Sequence, residues 1–200
     1  MQLFMVGASP YARKVLALAV ERGIRELIEI VIENPHKRPA ALLAANPLSK
    51  VPTLVTKEGG VHIDSLAICS FLDTMGGGPP SIPVEGSHRW SVLRRHALAH
   101  GVLDCSVSRR VDSLLAPEYD RLAGMERQRQ TTIRVLDHFE IEIDGFADGV
   151  ELDAITLACA LSYLDFRFPE DEWRLGRPRL TTWHAEFERR PSMQQTAFFT

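Results

Sequence analysis

Residues 46–75 read NPLSKVPTLVTKEGGVHIDSLAICSFLDTM. Pro52–Thr56 and Val61–Ile63 are short apolar runs on either side of Glu58-Gly59-Gly60, a pattern that predicts a β-hairpin turning on glycine. Asp64-Ser65, both good capping residues, stand where the second strand hands over to a helix. Ile68, Phe71, Leu72 and Met75 mark one face of that helix. Pro52 opens its strand and has no N–H for the ladder. It is expected either as an ordinary trans proline on an edge strand, the commoner form, or in a cis Val51-Pro52 bond.

Upstream of this block, Leu3–Val6 is an apolar run of strand length, broken by Gly7-Ala8-Ser9-Pro10. Ala12, Val15, Leu16 and Ala19 then recur at helical spacing, with Gly23 where a helix stops. Ile28–Ile32 is β-branched and strand-like, and Pro39–Ala45 is compatible with a short helix. The order is βαβαββα. Downstream, Gly76-Gly77-Gly78-Pro79-Pro80 cannot continue a helix. After it no alternating pattern remains. Ser87–Ala116 reads as a long helix, and Met125, Ile133, Leu136 and Ile143 mark a second. Asp153–Phe166 is apolar nearly all round, as at the centre of a bundle, and Leu180, Trp183 and Phe187 stripe a helix over Arg179–Arg190. The expected architecture is α/β plus all-α: a small α/β domain over residues 1–76, a linker over 77–86 and an all-helical domain over 87–200.

Composition removes several classes of function. The chain has 200 residues, 45% of them apolar, and a formal charge of −3. That is too apolar and too weakly charged for intrinsic disorder. It offers no basic excess for general nucleic-acid binding. Cys69, Cys105 and Cys159 are odd in number and widely spaced, which fits a reducing compartment better than a disulfide framework. The start, MQLFMVGASP, lacks the basic-then-apolar pattern of a secretory leader. The longest apolar stretch, Ala154–Leu164, is too short to cross a bilayer. A soluble cytoplasmic protein with no membrane partner is expected.

Ser9-Pro10 lies between the first strand and the first helix. A serine there caps the helix, and Pro10 suits its first turn. The same position offers free backbone N–H groups and the positive end of the helix dipole, so it also suits an anion. The functional reading is a hydroxyl that donates a hydrogen bond to a bound thiolate and lowers the thiol's pKa. Asp64-Ser65 likewise reads as capping alone or as recognition of a ligand's ammonium and carboxylate.

SPYARK, NPLSKVPTL, IDSLAI, ELDAITLACALSYLDFR and RPSMQQT, in this order and on this element pattern, together resemble a glutathione S-transferase, most closely the small bacterial serine type. The resemblance covers nearly the whole chain. It implies a thioredoxin-like N-terminal domain, a C-terminal helical bundle and glutathione as co-substrate, with no metal. Ser9 would activate the glutathione thiol. Val51 would pair its backbone with the cysteinyl part, in a strand-like manner, and Pro52, cis in that family, would fix the geometry. Asp64 and Ser65 would bind the γ-glutamyl end. Lys37 or Arg38 would reach the glycine carboxylate, and Tyr11 would line a hydrophobic second-substrate site. A small electrophile and a homodimer are the implied partners. The alternatives are a non-catalytic binding protein on the same fold, or a glutathione-dependent isomerase or dehalogenase.

Two departures from the family pattern stand out. No cysteine lies near Ser9, so thiol–disulfide chemistry by the protein's own sulfur is not expected. Val150 stands three residues before Asp153, where the family's buried helix begins with Ser or Thr, so half of a capping box is missing. His96, His100 and Asp104 share a helix face at a spacing that can ligate zinc, but no fourth ligand is evident. Arg109-Arg110 and Arg189-Arg190 read as solvated surface, and Trp90, Trp173 and Trp183 as packing.

Overall fold

Strand β1 (Gln2–Met5) buries Leu3, Phe4 and Met5 in succession. A strand apolar on both faces belongs inside a sheet with cover on each side. β1 pairs in parallel with β2 (Glu29–Ile32) and antiparallel with β3 (Thr53–Val55), which pairs antiparallel with β4 (Val61–Ile63). The sheet order is β2-β1-β3-β4. The parallel step needs a crossover, supplied by α1 (Pro10–Glu21). The β3–β4 hairpin turns through Gly59 at φ 85°, a conformation glycine adopts without steric cost. With α2 (Ala40–Ala45) and α3 (Ser65–Asp73) the order is the expected βαβαββα. The computed structural model describes residues 1–146 and 149–199. Helix α3 stops at Asp73, so Met75 lies beyond the face it was expected to share and is exposed.

The glycine–proline segment after α3 is held in place by a buried ion pair. Arg22 Nε lies 3.2 Å from Asp73 Oδ1, and both side chains are nearly inaccessible. The Arg22 guanidinium also donates to the carbonyls of Asp73 (3.0 Å), Gly76 (2.8 Å), Gly78 and Pro79. Asp73 in turn accepts the backbone N–H groups of Ser81 (2.8 Å) and Ile82 (3.0 Å). Gly76 must be small here, because a Cβ would sit 2.6 Å from Arg22 Cβ.

The chain divides into two compact units, Trp90–Arg189 being the second and the residues on either side of it the first. The second holds most of α4 (Gly86–Ser113), with α5 (Tyr119–Glu142), α6 (Leu152–Arg167) and α7 (Pro178–Phe187). As its composition predicts, α6 is buried almost throughout. Its Asp153 receives Arg95 Nε at 2.6 Å, and that guanidinium lies 4.9 Å from the centre of the Phe146 ring. Burial pushes the Asp153 carboxyl up, and Arg95 only partly offsets it. Arg109, expected at the solvated surface, is buried against Asp171 and the Phe168 ring. Trp173 and Trp183 pack as expected, whereas Trp90 is 68% exposed. No helix among the described residues is long and apolar enough to cross a membrane.

The cap of α6 falls on Glu151, one residue later than the Val150 position read from sequence. Glu151 makes no side-chain capping bond. Glu151→Ser is therefore expected to raise stability by about 0.5–1 kcal/mol, and Val150→Thr to leave it unmoved. Thermal melting of the two variants checks this.

The last segment, with α8 (Pro191–Gln194), was expected in the helical domain; it packs on α1 in the first unit instead. Arg190 donates twice to Glu21, at 2.9 and 3.0 Å, so it is not the solvated cation its sequence context suggested. Ser192 donates to Glu21 Oε1 at 2.5 Å, and Arg13 donates to the Met193 carbonyl at 3.2 Å. The RPSMQQT stretch is thus a strap along α1. Burial pushes the Glu21 carboxyl up, but the bonds from Arg190 and Ser192 and the Arg190 charge outweigh it, and the net shift is downward. A carboxyl lowered on folding stabilises above its unfolded pKa and loses that contribution as pH falls through its folded value. Glu21→Gln is expected to flatten the loss of stability below about pH 4.5, read as the urea midpoint against pH.

Candidate functional site

The register brings the sequence-predicted residues to one end of the sheet. Phe4 pairs with Thr53, and Thr53 with Ile63. The next residues outward from that row lead into the Ser9 loop, Val51-Pro52 and Asp64-Ser65. β2 runs parallel to β1, so its exit, tied by the Glu33 N–H to Met5 O at 2.9 Å, leaves from the same end. It carries the turn Pro35–Lys37 and Arg38, with Lys37 and Arg38 exposed. Ser49 Oγ donates to Pro35 O at 3.2 Å and links that turn to the 46–52 loop. α1 and α3 both start at this end, so two helix N-termini converge there. Their dipoles and free N–H groups favour bound anions.

Ser9 is the N-cap of α1, and its Oγ accepts the Ala12 N–H at 3.3 Å. Capping uses a lone pair and leaves the hydroxyl proton unspent, so one serine can cap and also donate to a ligand. It is 8% exposed and sits in a turn closed by its own N–H to Val6 O at 3.0 Å. Tyr11, in the first turn of α1, is half-buried.

The Val51-Pro52 bond is cis. The commoner trans form, favoured by residue statistics alone, is not the one present; the family resemblance is what pointed to cis. Buried Asn46 donates from Nδ2 to Lys50 O (3.1 Å) and Thr53 Oγ1 (2.9 Å), and Thr53 Oγ1 donates to Lys50 O (2.8 Å). These bonds fix the approach to Val51. The sequence reading missed Asn46 as a brace, though an asparagine that starts a proline-containing loop is a recognisable turn signal.

Asp64 caps α3, its Oδ1 accepting the Leu66 N–H at 2.7 Å. Its φ is 71°, a conformation that costs a non-glycine residue on the order of 1–3 kcal/mol and that clusters at ligand sites. Ser65, the first residue of α3, is buried.

Other reactive groups are engaged elsewhere. Burial raises the Cys105 thiol, Asp104 adds to the rise, and Arg109 and Arg134 only partly offset it, which leaves a poor thiolate. His96 Nδ1 lies 2.9 Å from Thr156 Oγ1, and His100 Nε2 lies 3.7 Å from Asp104 Oδ1. Among the described residues no group of three or more His, Cys, Asp or Glu side chains is placed to hold a metal ion. Ser162 Oγ and Glu188 Oε1 both approach His184 Nε2, at 3.1 and 3.5 Å. A hydrolytic triad needs the acid on the other ring nitrogen, so this cluster is a tie between α6 and α7.

The uncharacterized GST-like protein YibF of Escherichia coli strain K12 is 33% identical to this chain over 175 residues, 86% of each chain. The chain belongs to the glutathione S-transferase family. A model of the glutathione S-transferase N-terminal domain matches residues 8–75 of this family member. A glutathione transferase family member from Pseudomonas fluorescens Pf-5, solved with bound glutathione, is 40% identical with a TM-score of 0.95, over 100% of this chain and 99% of that one. A glutathione S-transferase from Methylobacillus flagellatus KT, with glutathione bound, is 28% identical with a TM-score of 0.90, over 99% of each chain. The thioredoxin-like domain followed by a helical region is therefore the fold of this family member.

Proposed function

We propose that this family member conjugates the glutathione thiolate to small hydrophobic electrophiles, with Ser9 stabilising the thiolate. The observation that carries the reading is the convergence of Ser9, Val51-Pro52 and Asp64-Ser65 on one end of the sheet, beside two helix N-termini. Glutathione carries two carboxylates, an ammonium and a thiol, and this end has a matching place for each. The N-terminus of α3 takes the γ-glutamyl carboxylate through Ser65 and its N–H, and the Asp64 carboxylate takes the ammonium. The Val51 backbone pairs with the cysteinyl unit, and Pro52 holds that backbone in place. Ser9 then donates to the sulfur. Lys37 or Arg38 meets the glycine carboxylate, and Tyr11 faces the second substrate. The Pseudomonas fluorescens and Methylobacillus flagellatus relatives, solved with glutathione, support this ligand.

The sulfur is the nucleophile, so the protein's chemical task is to keep it ionised. Each pKa unit of depression corresponds to about 1.4 kcal/mol. The glutathione-binding residues all fall within 1–76, and the working form proposed is a cytoplasmic homodimer, which sedimentation velocity tests.

Retention on immobilised glutathione, paired with conjugation of an activated aromatic halide, tests the function. Binding with turnover is expected. Binding without turnover supports a non-catalytic binding protein, or an isomerase or dehalogenase, and absence of binding overturns the reading.

A further inference from the structure

We propose that Phe199 is a positioning residue for Ser9: the C-terminal strap closes over the turn that carries Ser9 and fixes where its hydroxyl points. The proposal rests on the reading of Ser9 as the thiolate's donor.

Two contacts at Gly7 carry it. The Phe199 N–H donates to Gly7 O at 3.3 Å. A Cβ on Gly7 would come within 2.4 Å of the Phe199 ring and 2.6 Å of its carbonyl oxygen. Gly7 has no left-handed φ, so its backbone does not demand glycine. The strap does. Gly7 lies inside the turn that Ser9 N–H closes on Val6 O, two residues from the hydroxyl at issue.

The strap is anchored well enough to act as a stop. Arg190 and Ser192 hold it to Glu21 at the far end of α1. Arg13 holds the Met193 carbonyl, and the Phe198 ring lies over the same guanidinium, 4.7 Å from centroid to Cζ. The segment therefore runs from the last turn of α1 back to the loop before its first. Phe199 reaches Gly7 as the end of a fixed element, and it fills the space into which the turn would otherwise relax. A donor displaced by about 1 Å loses much of its effect on a charge, with rate losses that reach about 10²-fold.

Phe199 is 52% exposed, so its replacement should leave the fold intact. The test uses Phe199→Ala, Phe199→Tyr as the conservative variant, and Gly7→Ala, which displaces the strap from the other side. In the ligand-free protein, exchange of the Ser9 amide is expected to accelerate about tenfold or more in Phe199→Ala and Gly7→Ala, with β1 and α6 unmoved. The thiol of bound glutathione, followed by its ultraviolet absorbance, is expected to titrate at higher pH in both. Turnover near neutral pH then falls about tenfold and recovers as pH rises, while affinity for S-methylglutathione stays within about twofold. Phe199→Tyr is expected to match the wild type in every readout. Unchanged Ser9 exchange overturns the strap's hold on the turn. Faster exchange with an unmoved thiol titration overturns positioning. A wild-type protein that depresses no thiol overturns the Ser9 reading itself, and the exchange result then decides the strap's hold on the turn.

Discussion

Ser9→Gly is expected to lower conjugation turnover about 10²-fold near neutral pH, the scale of losing one donor to a developing or held anion in an active site. Glycine is the informative replacement. Ser9 caps α1 through Oγ to the Ala12 N–H, and alanine there costs about 0.5–2 kcal/mol of stability, whereas glycine costs a few tenths. Ser9→Gly thus removes the hydroxyl while leaving the helix start nearly as stable. The sign with pH follows from the donor. A hydrogen bond to the thiolate favours the charged form, so its loss raises the bound thiol's pKa toward that of a free thiol, about 8.5. Activity of the variant should therefore recover as pH rises through that value. Ser9→Thr keeps a hydroxyl and should retain most of the rate. A Ser9→Gly turnover within about threefold of wild type, with no shift of the pH profile, would remove Ser9 from the mechanism.

The largest stability effect is expected at the ion pair under the glycine–proline segment. Removing one partner of a buried pair costs about 3–5 kcal/mol, because the other charge is left buried and uncompensated. Arg22→Met strands Asp73 and also removes a donor from four carbonyls. Asp73→Ala strands Arg22 and leaves the buried N–H groups of Ser81 and Ile82 without their acceptors. At about 2–4 °C per kcal/mol for a chain of this size, either should lower Tm by about 6–20 °C. Asp73→Asn keeps an acceptor oxygen and should fall between. Limited proteolysis should place the first cut of Arg22→Met within residues 76–82. A drop under about 3 °C, or a first cut elsewhere, would show that the segment is held by something other than this pair.

The element order was legible because it rests on local patterns: an apolar run at Leu3–Val6, a glycine turn at Gly59, caps at Ser9 and Asp64. What was not legible depended on partners far away in sequence. GGGPP reads as a linker, and nothing near it announces that Arg22, more than fifty residues earlier, holds it. Arg109 and Arg190 read as surface cations because their acceptors, Asp171 and Glu21, are distant. The same holds for the strap, whose signature was recognised but whose docking surface was not. At the site, residue types suggested Ser9, Asp64 and Ser65, but only the register of three strands brings them to one end. Asp64's φ of 71° has no sequence signal, because aspartate caps many helices without it. Trp90 went the other way: aromatic composition suggests burial, and its helix face leaves it in solvent.

The strap also sets an order of manufacture. Residues 7–21 leave the ribosome early, yet the groups that close over them belong to residues 190–199. Between the two lies the whole second unit, Trp90–Arg189, which takes about 5–20 s to synthesise at ordinary elongation rates. The first unit is therefore begun before the second and completed after it. Until residues 190–199 have emerged, Glu21, Arg13 and the Ser9 turn stand uncovered, and a nascent chain stalled anywhere in the helical region carries an unfinished version of the very end of the sheet where the chemistry is proposed to occur.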